Sequence, residues 1–472
     1  MTAAGIAASG GTRFITNTII GRVGGPALLG LTQSALSLTQ LLALLLPSSM
    51  GTAASKFVAQ SRGAGRIHEA EAITLYLRRR SLAVATVIAG VAALVWRIFY
   101  SGSVWQLAAV ACLALSFSTY TFARGLQYGT GQILRATLWE VVLACIGLVG
   151  VVSLAVMGRR DLSLILPMTL GFILYTIASW SPQRPQALDL AVRKEMRTFI
   201  VLGTAGTLVS AGFLQSTVLV AKATGGLHLA GEFAAALTLA TPVTMVASSI
   251  SLATFPAMAA AWARHDEAVL RRHLDEATHL LLVVMAGSLG TLAMLSPVLA
   301  DLVWGGEFDD VQLILPLLLL AAFFSAVAVP SVNVLTSRSN RGMATSVGAS
   351  TLGLMFGISI WVLLSIAGVE PTVFVPTGYV MGVVVQTGIP VGLAWSSHRR
   401  AWLLPFLRAG TWLALSGIFV AVERRYLLGW HITIGVAAAY ALAWLAWHRV
   451  DLVGAVRLVR SGPRVSGEES VS

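Results

Sequence analysis

The chain is poor in charge, nearly free of cysteine, and carries no acid in its first stretch. Of its 472 residues only 11% are Asp, Glu, Lys or Arg while 56% are hydrophobic, and the mean hydropathy is +0.81. A soluble domain carries about 25% charged residues, so this chain has too little polar surface to cover itself in water. Its solvent is lipid. The two cysteines, Cys112 and Cys145, both lie in apolar runs, which excludes a disulfide framework or thiolate metal spacing and reads as two small buried residues. No acidic residue precedes Glu69. No basic region or cleavage site opens the chain, so its beginning reads as a first span rather than a signal peptide. Extended loops are missing too. The longest on the outer side is about ten residues, Asp301 to Val311, too short for the catalytic loop of a membrane glycosyltransferase or glycan polymerase. The protein is therefore not expected to be an enzyme.

What is present is a series of uncharged runs. A spanning helix needs roughly 20 mainly apolar residues, because each rises about 1.5 Å across a core of about 30 Å, and only helices satisfy their own backbone over so many segments. Runs near 2–21, 30–54, 81–99, 104–123, 136–157, 162–181, 198–221, 231–261, 278–300, 312–334, 343–366, 373–395, 403–422 and 429–447 predict an all-α polytopic membrane protein of about 14 transmembrane helices. The formal charge of +12 does not point to nucleic acid, because the cations sit in short loops between the runs. With both termini placed in the cytoplasm, the inner loops hold 23 Arg and Lys and the outer loops hold 7, with Arg13 and Arg408 inside spans. That bias is the one expected of membrane topology.

A repeat organises the series. Arg22-Val23-Gly24-Gly25-Pro26 to Gly30 leads into an uncharged run broken by Pro47 and ending in a basic loop, Lys56 to Glu71. Shifted by 201 residues, Gly24, Gly25 and Gly30 fall on Gly225, Gly226 and Gly231, followed by a second uncharged run broken by Pro242 and Pro256 and by the loop Arg264 to Glu276. The expected organisation is an N-lobe over 1–181 (spans one to six), a linker over 182–197, and a C-lobe over 198–395 (spans seven to twelve). Two further spans over 396–447 and a disordered cytoplasmic tail over 448–472 complete it.

Polar groups inside the membrane are costly and mark sites. Arg13 and Asn17 lie one turn apart on span one, and Gln33, Ser37 and Gln40 share a face of span two. Span seven offers Ser210, Gln215 and Thr217, and span eight Thr238, Thr241, Thr244 and Ser248. With Lys222 at the outer end, the cavity candidates are Arg13, Asn17, Gln33, Ser37, Gln40, Gln215, Thr217, Lys222 and Thr241. The bland alternatives are an arginine that snorkels to the interface and amides and hydroxyls that glue helices together. Glu140, five residues from Arg135, and Glu232, near Lys222, read either as structural partners or as ion-coupling carboxylates. Trp96, Trp105, Trp180, Trp304, Trp402 and Trp430 fall at span ends and read as interfacial anchors. The histidines between Arg264 and His279 share that stretch with acids and arginines and read as a solvated loop; neither a metal site nor a catalytic group is expected. Because spans one, two and seven hold no acid, a cavity they line suits an anion, whereas a cation would need a carboxylate to offset its desolvation.

Four elements resemble the multidrug/oligosaccharidyl-lipid/polysaccharide (MOP) flippase superfamily, most nearly its polysaccharide-export branch. They are Arg22-Val23-Gly24-Gly25-Pro26 to Gly30; Gly225 to Gly231; Trp304-Gly305-Gly306-Glu307-Phe308 before span ten; and Ser337-Arg338-Ser339-Asn340-Arg341 between spans ten and eleven. The resemblance implies two six-helix lobes about a cavity. It further implies alternating access that carries a lipid-linked sugar to the outer leaflet of a bacterial plasma (inner) membrane, with glycan-assembly enzymes as neighbours. No cofactor is implied beyond coupling to a proton or sodium gradient. The family's multidrug branch uses a carboxylate in span one, where this chain has Arg13 and Asn17, and the paired arginines of the lipid II flippase branch have no match here. The leading expectation is therefore a flippase for an anionic polyprenyl-pyrophosphate-linked oligosaccharide. A MATE-like, ion-coupled drug or metabolite antiporter is the alternative, with a membrane glycosyltransferase or polymerase behind it.

Overall fold

The computed structural model describes residues 2–180, 188–263, 266–338, 340–426 and 429–449, and the regular structure among them is entirely helical. In chain order the helices are α1 (Thr2–Ala43), α2 (Pro47–Gly63), α3 (Ile67–Tyr100), α4 (Val104–Gly129) and α5 (Ile133–Val156). A 3-10 turn at Leu162–Ile165 then runs into α6 (Leu166–Ala178), followed by α7 (Leu190–Ala263), α8 (Glu267–Met294) and α9 (Ser296–Trp304). The series ends with α10 (Val311–Arg338), α11 (Asn340–Ile366), α12 (Pro371–Tyr426) and α13 (Trp430–Trp447). Each apolar run expected to span falls on this series. By length and hydropathy, however, ten helices among the described residues can cross a bilayer, or eleven when the bent pair Gly10–Ala43 and Pro47–Gly63 counts as one span. The described residues thus hold fourteen helical elements, thirteen α and one 3-10, and the count by length and hydropathy is lower than fourteen for two reasons. Runs one and two share that bent pair, and runs seven and eight share α7. Run six is α6, whose 13 residues reach only about 20 Å.

The chain packs as two compact units. The first comprises Met1–Thr241, Val303–Ile314 and Trp361–Tyr379; the second comprises Pro242–Leu302, Leu315–Ile360 and Val380–Ser472. The part of the expected linker up to residue 187 lies outside the described residues, and from Leu190 onward that segment is already α7. The tail beyond residue 449 and the Ser337 to Arg341 element's side chains also lie outside the described residues.

Within the first unit, the repeat is visible in the backbone. Gly25 (φ 66°, ψ −168°) and Gly226 (φ 78°, ψ −171°) break α1 and α7 in the same conformation, one open essentially to glycine alone. The half-helices that follow then cross in a reciprocal contact. A Cβ on Gly30 would lie 1.9 Å from the Leu227 carbonyl oxygen, and one on Gly231 would lie 1.8 Å from that of Pro26. Pro26 and Leu227 are themselves 201 residues apart, so residue i meets j while j meets i, as across a local two-fold. In lipid, apolar side chains gain little from meeting one another, and small residues that let backbones approach supply the packing instead. The same device joins α2 to α4, where a Cβ on Gly125 would lie 2.2 Å from the Gly51 carbonyl oxygen. Pro47 heads α2 and bends it 51° from α1. Around these crossings lies a core that includes Leu38, Trp96, Leu113, Phe172 and Tyr175.

In the second unit, α13 docks on α8. Gly287 and Gly290 leave room for Trp444 and Tyr440, and the Tyr440 hydroxyl lies 3.2 Å from the carbonyls of Ala286 and Trp412. The Trp402 indole donates to Asp275 at 2.6 Å. Two readings of the sequence are corrected here. Trp96, Trp304 and Trp402 are buried packing residues, and only Trp105, Trp180 and Trp430 are exposed as anchors would be. Cys112 and Cys145 are exposed, because in lipid the apolar side chains of α4 and α5 face outward as well as inward.

Gly30→Ala and Gly231→Ala are each expected to destabilise the protein by more than the roughly 1–3 kcal/mol of ordinary overpacking, because the added methyl meets backbone rather than a movable side chain. Melting in detergent should show both variants lowered alike, whereas Gly348→Ala, with nothing near its added methyl, should melt as wild type.

Candidate functional site

The polar faces of α1 come together in one buried chain of hydrogen bonds. Arg13, on the helix before the Gly25 break, donates from Nη2 to Gln33 Oε1 at 3.4 Å. Gln33, on the half-helix after the break, donates from Nε2 to Asn17 Oδ1 at 2.6 Å. Asn17 donates from Nδ2 to Thr238 Oγ1 on α7 at 2.7 Å, and Thr238 donates onward to the Ala234 carbonyl at 2.7 Å. Asn17, Gln33 and Thr238 are all buried, while the Arg13 side chain is exposed at the head of the chain. The break at Gly25 is what makes this possible, since it folds the two halves of α1 so that positions 13, 17 and 33 meet.

The electrostatics are one-sided. Arg13 has five N–H donors, and its partner is a neutral amide. Among the described residues no ion pair includes Arg13. Its charge is oriented by the amide chain and, among the described residues, has no carboxylate opposite it.

Of the other candidates, Ser37 is buried and Gln40 half-buried on the same helix, but neither takes part in the Arg13-to-Ala234 chain. Gln215 is half-buried, Thr217 is buried and donates to the Leu214 carbonyl, and Thr241 donates to the Leu237 carbonyl. Thr238, a member of the span-eight stripe outside the chosen candidates, closes the network. The repeat pointed to it, since Thr238 lies 201 residues beyond Ser37. The network has no counterpart in the second repeat, where Arg13, Asn17 and Gln33 correspond to Leu214, Val218 and Ala234. Lys222 is engaged elsewhere, its ammonium bonded to the Phe99 carbonyl at the end of α3 and set 4.0 Å from the Tyr100 ring.

Both carboxylates have structural partners. Glu140 pairs with Arg124 on α4 at 2.7 Å rather than with Arg135, whose guanidinium reaches the Ala178 carbonyl and Gln132. Glu232, fully buried, accepts from the Val311 amide at 3.0 Å and so caps α10, with His228 at 3.5 Å. The Val303–Ile314 segment meets the first glycine break, where a Cβ on Gly25 would lie 2.9 Å from a Glu307 carboxylate oxygen. Arg22 donates to the Val303 carbonyl at 2.6 Å, and Trp304 packs on Gly21. Two of the sequence elements singled out for resemblance, 22–30 and 304–308, are thus neighbours in space.

No family model and no curated protein matches the chain by sequence. Solved structures do match in fold. The lipid II flippase MurJ, in its inward closed conformation, aligns with a TM-score of 0.66 at 13% identity, covering 94% of this chain and 98% of that one. A multidrug resistance MATE family transporter of the MOP superfamily, inward-facing, aligns with a TM-score of 0.60 at 13% identity over 85% of this chain and 95% of that one. A MOP superfamily transporter from Pyrococcus furiosus aligns with a TM-score of 0.54 at 14% identity, over 87% and 94%. The chain shares its fold with these solved transporters. These neighbours are transporters rather than enzymes.

Asn17→Ala removes a partner from two buried groups at once, Gln33 and Thr238. A loss of about 1–3 kcal/mol in stability is expected, since an unsatisfied buried polar group carries that cost. Denaturation of the purified protein should show it, with Gln40→Ala, outside the network, within about 0.5 kcal/mol of wild type.

Proposed function

We propose that the protein is a flippase that moves an anionic, polyprenyl-pyrophosphate-linked oligosaccharide from the cytoplasmic to the outer leaflet by alternating access. The observation that carries this reading is the guanidinium of Arg13, held by Gln33, itself held by Asn17, and in no ion pair among the described residues. Arginine forms charge-assisted, geometrically matched bonds to phosphate oxygens, so a pyrophosphate is the natural ligand for such a group. Amides and hydroxyls nearby, among them Gln40 and Gln215, suit sugar hydroxyls.

The fold supports a lipid-linked cargo, since one neighbour is a lipid II flippase. Pocket polarity is also a property that varies on this fold. The Pyrococcus furiosus neighbour is described as having a binding pocket of reverse polarity that suggests a different function. The competing reading, an ion-coupled drug antiporter like the MATE neighbours, requires a membrane carboxylate available to a cation. Here Glu140 is held by Arg124 and Glu232 by the Val311 amide, which favours the anionic cargo.

Thermal stability in detergent tests the choice, because a ligand that binds only the folded state raises the melting temperature. Polyprenyl pyrophosphate is expected to stabilise the wild type and cationic dyes to leave it unchanged. Arg13→Ala should fold and insert normally but bind the pyrophosphate about 10- to 100-fold more weakly, the equivalent of a charged hydrogen bond of about 1.5–3 kcal/mol. Stabilisation by the dyes alone, unaffected by Arg13→Ala, would sink the flippase reading and put the antiporter first.

A further inference from the structure

A second cationic feature lies apart from the Arg13 network, in a cavity of about 490 Å³ lined by α2, α3 and the first turns of α7. Four lining side chains are cations, Arg80 from α3 and Arg193, Lys194 and Arg197 from α7, and among the described residues no acid lines it. One wall is apolar, with Leu46, Met50, Val84 and Ile200. Tyr76 stands between the two characters, its ring centre 5.4 Å from the Arg80 guanidinium and 5.5 Å from that of Arg193.

The cations are poorly compensated within the protein. Arg193, Lys194 and Arg197 occupy the opening turns of α7, the positive end of the helix dipole, where acids are favoured and cations are not. The first turn holds no acid, and the Asp189 carboxylate ahead of it bonds to the Ala191 amide. Glu195 is exposed and not part of the lining. Among the described residues none of the four cations is in an ion pair. The Arg193 Nε is buried without a hydrogen-bond partner. Like charges gathered there repel one another, and an anion placed among them would relieve that repulsion. The volume is that of a small-molecule site, about 300–1,000 Å³, and the apolar wall would be wasted on a free inorganic anion.

We propose that this cavity binds the phosphate headgroup of a membrane lipid. The phosphate lies among Arg80, Arg193 and Arg197, and the first part of the hydrocarbon lies along Leu46, Met50 and Val84. Basic pockets between membrane helices are the physical form such headgroup sites take. Two sources share this chemistry, an anionic phospholipid of the bilayer and a polyprenyl-linked pyrophosphate. The site stands whether or not Arg13 serves the cargo, because the two clusters share no residue.

The test is native mass spectrometry of the full-length protein released from detergent, titrated separately with phosphatidylglycerol, phosphatidylcholine, polyprenyl pyrophosphate and inorganic pyrophosphate. The double variant Arg80→Gln/Arg193→Gln is compared with wild type. Because Arg80 and Arg193 also touch Tyr76, Arg197→Gln, exposed and free of that ring, is the second variant. Phosphatidylglycerol is expected to bind at least tenfold tighter than phosphatidylcholine, with that preference lost in the double variant, weakened in Arg197→Gln and kept in Arg13→Ala. If the variants weaken only polyprenyl pyrophosphate, the site is again a lipid-phosphate site, fed by that second source. Inorganic pyrophosphate binding as tightly as either lipid would overturn the proposal, as would variants that fold and bind every lipid as wild type does.

Discussion

The structure depends on a close crossing of two half-helices at Gly30 and Gly231. In water such a crossing would be one contact among many, because burial of apolar surface drives packing everywhere. In lipid that drive is largely absent, and shape has to do the work through small residues that bring backbones together. The reciprocal approach of Gly30 to Leu227 and of Gly231 to Pro26 is possible only because the preceding Gly25 and Gly226 turn the chain through a conformation other residues resist. Four glycines and one proline therefore fix where the two halves of α1 lie. The Arg13 network follows from that placement.

The crossing is symmetric, but what is hung on it is not. Arg13, Asn17 and Gln33 stand where the second repeat has Leu214, Val218 and Ala234. Thr238 reaches across from α7 to complete the chain of bonds. A repeated backbone supplies the frame, and polar side chains on one copy supply a direction. The result is a single positive charge, held by neutral amides at the head of a satisfied buried network. Such networks rigidify when each member has a partner and are costly when one does not. Three other charges of the first unit are handled differently. Glu140 is neutralised by Arg124, Glu232 is turned into a helix cap for α10, and Lys222 is absorbed by a helix end and an aromatic ring.

Much of this was legible in the chain. The scarcity of charge required a lipid solvent, and the uncharged runs located the helices. The bend at Pro47 and the glycine pairs 201 residues apart were visible as spacing. The shared face of Arg13 and Asn17 followed from helical periodicity. Periodicity does not tell which helix a face meets, so Gln33 could be placed on a polar stripe but not assigned to Asn17. For the same reason the span-eight stripe alone does not separate Thr238 from Thr241, and only the 201-residue correspondence with Ser37 singles it out. The tryptophans at span ends read as anchors, yet Trp96, Trp304 and Trp402 are packed inside, because a position near a helix end says nothing about which side of the helix faces protein.

The sequence by itself thus determined the solvent, the helical class, the repeat and the residue types available to a site, since each follows from composition or from spacing along one strand of chain. Tertiary structure alone decided the partners. Arg124 rather than Arg135 meets Glu140, and Arg22 meets the turn before Phe308. Arg80 and Arg193 share one cavity although more than a hundred residues separate them. Charges interact through space over a few ångströms, and distance along the chain carries no record of that proximity until the helices have packed.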